Sequence, residues 1–132
     1  MGTFKDIEEA REHFKKDRFA STSGMVLDEL GDDYSLCSVV LNENHQNAYG
    51  GIMGGAIFTL ADLAFAALCN NIHQPTVAQQ VSINYLGAPK GEKMYARAYI
   101  KKDGKRTCTI NVDVTDDTGR DIAQFVGSGF KL

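Results

Sequence analysis

The sequence predicts an α+β fold: a curved antiparallel sheet of about six strands wrapped around one central helix, with an N-terminal flanking helix. Three observations predict it. From Ala56 to Cys69 the residues are almost all apolar and rich in Ala and Leu, with only Thr59 and Asp62 intervening. With no polar stripe at a 3.6-residue period, such a helix is expected to be covered on nearly every side. In the second half of the chain the period is two instead: Cys108, Ile110, Val112 and Val114 alternate with Thr107, Thr109, Asn111 and Asp113, as in a half-solvated strand. Turn compositions such as Gly31-Asp32-Asp33 and Asp103-Gly104 separate the β segments.

Residues 4 to 18 read as an amphipathic helix, because Ile7, Ala10 and Phe14 share one face and charged residues occupy the other. Thr3 and Asp6 have the spacing of a capping box. Met25 to Leu30 and Tyr34 to Leu41 are short strands joined as a hairpin. A polar loop, NENHQNAYGG, then runs into the central helix, which is expected to end near Asn70-Asn71, before Pro75. Beyond it Val77, Gln79, Val81, Ile83 and Tyr85 alternate with Ala78, Gln80, Ser82 and Asn84. Strands over Met94 to Lys101, Thr107 to Thr115 and Asp121 to Phe130 complete the sheet.

Composition narrows the class. A length of 132 residues with 43% hydrophobic content and two prolines suits one domain over 1–132 with no long linker. The net charge of −3 offers no basic footprint for nucleic acid. The N-terminal MGTFKDIEEAREHF lacks an apolar signal region, so a cytoplasmic protein is expected. The central apolar run, broken by Asp62, reads as too short for a membrane span. Cys37, Cys69 and Cys108 lie in apolar contexts as buried reduced thiols, and His13, His45 and His73 have no ligand spacing, so no metal is expected.

The chemistry concentrates at the start of the central helix. Gly50, Gly51, Gly54 and Gly55 allow close approach where a helix leaves its first N–H groups unpaired, which suits an anion or a polarised carbonyl oxygen. Asp62 is an acid in an apolar helix. It is either a core carboxylate satisfied by a neighbouring loop or a group in use. A single sheet with one helix also leaves a helix side and a sheet edge uncovered, which a homo-oligomer would cover.

Asn47, Gly50, Met53-Gly54-Gly55 and Leu60-Ala61-Asp62, together with SINYLGAPKGE, KKDGKRT and VDVTDDTGRDIAQ, resemble the hotdog-fold acyl-CoA thioesterases of the phenylacetate-degradation (PaaI-like) type over nearly the whole chain. The resemblance implies hydrolysis of an acyl-CoA substrate, with Asp62 as base or nucleophile and the Gly54 amide polarising the thioester carbonyl. It gives Asn47 a part in binding that carbonyl or the attacking water. It implies no separate cofactor, since coenzyme A is part of the substrate, and a homodimer or dimer of dimers whose sites are shared between subunits. Where the family motif carries His this chain has Met53, which cannot donate a strong hydrogen bond.

Met53, Gly55 and Gln80 are expected along the acyl group, with Gln80 and Ala78 also readable as plain sheet residues. Lys102, Lys105 and Arg106, beside Lys101 at a hairpin tip, are either a solvated turn or a contact for coenzyme A phosphates. Two other classes compete with the hydrolase. One is a non-catalytic acyl-thioester binder or sensor. The other is a hydratase or dehydratase, in which His45 would replace the motif histidine.

Overall fold

The computed structural model describes residues 2–132. Six strands, β1 (Val26–Leu30), β2 (Tyr34–Val40), β3 (Thr76–Tyr85), β4 (Lys93–Asp103), β5 (Thr107–Asp116) and β6 (Asp121–Lys131), form one sheet in the order β1-β2-β4-β5-β6-β3. Every neighbouring pair is antiparallel. The long helix α3 (Gly54–Ile72) crosses its inner face, and two short helices, α1 (Ile7–Phe14) and α2 (Arg18–Thr22), precede the sheet. This is the hotdog architecture.

Strand alternation explains where the core sits. Met94, Ala96 and Ala98 of β4, Cys108, Ile110, Val112 and Val114 of β5, and Ala123 and Phe125 of β6 are buried beneath α3. Two glycines of β6 set how closely the helix approaches. A Cβ on Gly127 would run into the Phe65 ring, and one on Gly129 would sit 3.1 Å from Cys69 Sγ and 3.2 Å from Cys108 Sγ. These two sulfurs are themselves 3.3 Å apart, and all three cysteines are free and buried. Ser35, fully buried on β2, donates to the Ala64 carbonyl at 2.6 Å and ties the helix to the sheet.

α3 is less evenly covered than its composition suggests. Leu60, Ala61, Leu63, Ala64, Phe65, Ala67 and Leu68 are buried, whereas Thr59, Asp62, Ala66 and Asn70 are only half-buried. Spaced three or four apart, these four share one face that the chain's own sheet does not cover. Three of the four are polar, and Ala66 alone interrupts the stripe. At 19 residues α3 is long and apolar enough to cross a membrane by length and composition alone, but Asp62 interrupts it and more than half of its residues are buried inside this fold.

Near the N-terminus the single helix of the sequence reading is two pieces. Asp17 leaves helical space at φ −73, ψ 82 and separates α1 from α2. Asp6 alone caps α1, accepting from the Glu9 N–H at 2.9 Å. Thr3, expected in a capping box, donates instead to the Asn70 carbonyl at the far end of α3. A tertiary acceptor has taken the place of the local one.

A second correction concerns β3. Its pairing with β6 slips between Ala78 and Gln80, so Gln79 is the extra residue of a bulge and the side chains on either side of it exchange faces. Ala78, Val81, Ile83 and Tyr85 pair with Gly129, Gly127, Phe125 and Ala123 of the inner face. Gln80 pairs with Ser128 on the outer face, away from α3, and is exposed. Gln79 donates to the Ser128 hydroxyl on that side at 3.0 Å. The unbroken alternation from Val77 to Tyr85 therefore fails at one residue.

Candidate active site

The loop from Asn42 to Met53 is built to present the start of α3. Asn42 caps the short 3-10 turn Glu43–His45, accepting from the Asn44 N–H at 2.8 Å. His45 is buried, with Nδ1 accepting from the Asn42 N–H at 3.0 Å and Nε2 lying 2.8 Å from the Ser23 carbonyl. Both ring nitrogens are therefore engaged, which corrects the expectation that His45 would replace the motif histidine: it is a structural residue. Gly50 supplies the φ of +84 that turns the chain. Asn47 Oδ1 accepts from Tyr49 and Gly51 N–H groups at 2.9 and 3.1 Å, so the side chain retains only its amide Nδ2 for a ligand.

Met53 caps α3 through its backbone. Its N–H donates to the His45 carbonyl at 2.8 Å, and its carbonyl accepts from Ala56 and Ile57 at 3.0 and 3.3 Å. Gly54 and Gly55 keep N–H groups with no acceptor among the described residues, as the first turn of a helix requires. The Met53 side chain is 54% exposed, and its Cε would lie 3.4 Å from a Cβ on Gly55. Across from it the Tyr85 ring lies so near Gly54 that a Cβ there would be 3.1 Å away, and the Tyr85 hydroxyl donates to the Gly54 carbonyl at 3.1 Å.

Asp62 lies two turns further along α3, half-buried in a cleft of ≈ 410 Å³ lined by Lys16, Asp17, Arg18, Phe19, Ala20, Phe58, Thr59 and Leu63. No hydrogen-bond donor among the described residues reaches its carboxylate, so it is not a core acid satisfied by a loop. Burial, and then the negative charge of Asp17, raise its pKa above the ordinary 3.8. A carboxylate with a raised pKa and free lone pairs is equipped to take a proton or to attack.

The chain brings together some of the expected residues and separates others. Asn47, Met53, Gly54 and Gly55 cluster at the start of α3. Along the helix Asp62 is roughly 12 Å from Gly54 and about 80° around the axis. Lys102, Lys105 and Arg106 are exposed at the β4–β5 tip. Lys131, which pairs with Thr76, holds that tip by an ion pair to Asp103 and a hydrogen bond to the Gly104 carbonyl. The tip thus adjoins the Thr76 end of β3, whereas Gly54 adjoins the Tyr85 end, about 30 Å away at strand rise.

Comparison with known proteins identifies the family. A family profile described as "Thioesterase superfamily" matches residues 49–123, more than half of the chain. The chain belongs to the thioesterase superfamily. Relatives within it include human acyl-coenzyme A thioesterase 13, 36% identical over 93 residues, which are 67% of this chain and 66% of that protein. Acyl-coenzyme A thioesterase PaaI of Escherichia coli is 23% identical over 97% of this chain and 92% of its own. The solved E. coli PaaI structure superposes with a TM-score of 0.89, at 22% identity over 96% of this chain and 92% of that one. A thioesterase protein of Streptococcus pneumoniae TIGR4, solved with coenzyme A, gives a TM-score of 0.80 at 26% identity, over 89% of this chain and 94% of its own.

Around Gly54 and Asp62, sequence reasoning overlooked Tyr85, Asp17 and Phe19. Tyr85 had a visible signal, an aromatic ending an alternating strand before Gly87, but no sequence distance links it to Gly54. Asp17 falls within the flanking helix expected over residues 4 to 18, and Phe19 just beyond it. Only the break between α1 and α2 folds them over Asp62.

Proposed function

We propose that the protein hydrolyses an acyl-CoA thioester to the free acid and coenzyme A at a site shared by two antiparallel copies of α3. The observation that carries this reading is the pairing of an unpartnered Asp62 carboxylate with two acceptor-free N–H groups at the start of the same helix. One thioester carbon cannot lie within about 3 Å of both on a single helix. A two-fold pair of helices packed through the Thr59, Asp62 and Ala66 face sets Asp62 of one copy beside Gly54 of the other.

In that arrangement the Gly54 N–H binds the carbonyl oxygen as negative charge develops on it, and Asn47 Nδ2 is a second donor. Asp62 either takes a proton from water, whose hydroxide attacks the carbonyl carbon, or attacks directly to give an anhydride that water then opens. In both routes the C–S bond breaks, and the thiolate of coenzyme A leaves and takes up a proton. Met53 and Gly55 flank the carbonyl end. Antiparallel pairing along β3 brings the Lys102, Lys105 and Arg106 tip of one copy to the Gly54 end of the other, where positive charge suits the coenzyme A phosphates. Gln80, on the outer face, has no place in this site.

A second reading, an acyl-thioester binder without turnover, is favoured by Met53, which brings no donor to the position where the family motif has His. Incubation with a panel of acyl-CoAs and a thiol reagent separates the two. Release of free coenzyme A, abolished in Asp62→Asn, is expected; saturable binding with no thiol release would establish the binder instead.

A further inference from the structure

The cleft that holds Asp62 is not walled by α3 alone. Its other side is Lys16 to Ala20, the hook between α1 and α2 of the same chain. Within the hook Phe19 is 75% exposed, an unusual state for a phenylalanine, while neighbouring Ala20 is buried and anchors the segment. Phe58 lines the same cleft, half-buried, with its ring edge-on to Phe125 at 5.5 Å between centroids. Leu63, buried, lines it too and also lines a second cleft of ≈ 320 Å³ with Phe14, Met25 and Leu27. The apolar lining beside Asp62 is thus two phenyl rings and a leucine, next to the charged Lys16, Asp17 and Arg18.

A thioester whose carbonyl lies at Asp62 has two arms. The phosphate-bearing arm belongs with cations, and the apolar arm belongs with Phe19, Phe58 and Leu63. Resting on the thioesterase reading above, we infer that the α1–α2 hook of the chain supplying Asp62 forms the acyl pocket, and that Phe19 is a specificity-determining residue that closes over an apolar acyl group larger than acetyl. A ring that is 75% exposed in the single chain adds apolar burial when such a group is bound, so its contribution grows with the acyl chain.

The test compares the parent and Phe19→Ala on acetyl-, butanoyl-, octanoyl- and phenylacetyl-CoA, with folding checked by circular dichroism and oligomeric state by light scattering. The expected result is a loss of kcat/KM about tenfold greater on the larger acyl groups than on acetyl. A selective loss on octanoyl-CoA identifies an alkyl occupant, and one on phenylacetyl-CoA an aryl occupant; either supports the pocket. An equal change across the panel, or a change of oligomeric state with equal loss, overturns it. Binding to Asp62→Asn protein separates this inference from the hydrolase reading. There octanoyl- or phenylacetyl-CoA is expected to bind more tightly than acetyl-CoA, and Phe19→Ala is expected to erase most of that difference. If the parent released no thiol, the hydrolase reading would fall while the binding comparison still decided the pocket, and a preference retained in Phe19→Ala would reject it.

Discussion

The Tyr85 hydroxyl donates to the Gly54 carbonyl at 3.1 Å, joining the last residue of β3 to the first residue of α3. The Gly54 carbonyl shares its peptide plane with the Gly55 N–H, so the contact fixes the direction in which that donor, next to the Gly54 N–H, points. Tyr85→Phe is expected to keep the fold and to lower kcat more than it raises KM, because loosening a donor weakens stabilisation of the transition state more than binding of the ground state. A kcat equal to the parent's across the acyl-CoA panel would show that this hydrogen bond serves folding only.

Gly54→Pro removes the proposed donor and keeps the helix start, with a small shift of the Tyr85 ring, which a Cβ at this position would approach to 3.1 Å. Proline is favoured at the first helical position, and Met53 already has the extended backbone that a residue before proline requires, at φ −65 and ψ 135. The expected outcome is a fall in kcat of about 10²- to 10³-fold with the circular dichroism spectrum retained. Activity near the parent's would move the oxyanion site to the Gly55 N–H.

Asp62→Asn is expected to abolish turnover and, at neutral pH, to leave the melting temperature equal or higher. The sign follows from the pKa. Because burial and Asp17 raise the folded-state pKa of Asp62, protonated Asp62 is the form the fold favours, and that stability is lost as pH rises through the folded value. The asparagine does not ionise. Its advantage should therefore be present at pH 7 and vanish below the ordinary carboxylate value of 3.8, as thermal melts across pH will report.

Asp17→Asn removes one of the two causes that raise the pKa of Asp62, leaving burial and the cations Lys16 and Arg18 in the same cleft. A base works deprotonated, so the acid limb of kcat/KM should move to lower pH in this variant. An unmoved limb would mean that another group titrates in the rate profile.

Mixing two inactive proteins tests the shared site. Asp62→Asn and Gly54→Pro chains, unfolded and refolded together, should return about a quarter of parent activity, since about half the dimers are mixed and each holds one intact site of two. If mass spectrometry shows mixed dimers and no activity returns, the acid and the oxyanion donor act within one chain.

The sequence by itself determined the apolar run of α3, the period-two strands, the glycines at the helix start and the isolated acid, because each is a local pattern that burial and backbone geometry impose on neighbouring residues. It placed Asn47, Met53, Gly54 and Gly55 in one loop and helix start because they adjoin along the chain. Val77 went to the wrong face of β3 for a physical reason. One bulge residue, Gln79, reverses a period of two, and alternation carries no mark of a bulge. The half-open stripe of Thr59, Asp62, Ala66 and Asn70 went unread because Ala66 interrupts it and Asn70 falls at the expected helix end. Tertiary structure alone decided that Thr3 reaches the end of α3, that His45 is fully engaged, and that Asp17 and Phe19 fold over Asp62. Each of these depends on which distant segments the sheet brings into contact, and spacing along the chain does not encode that.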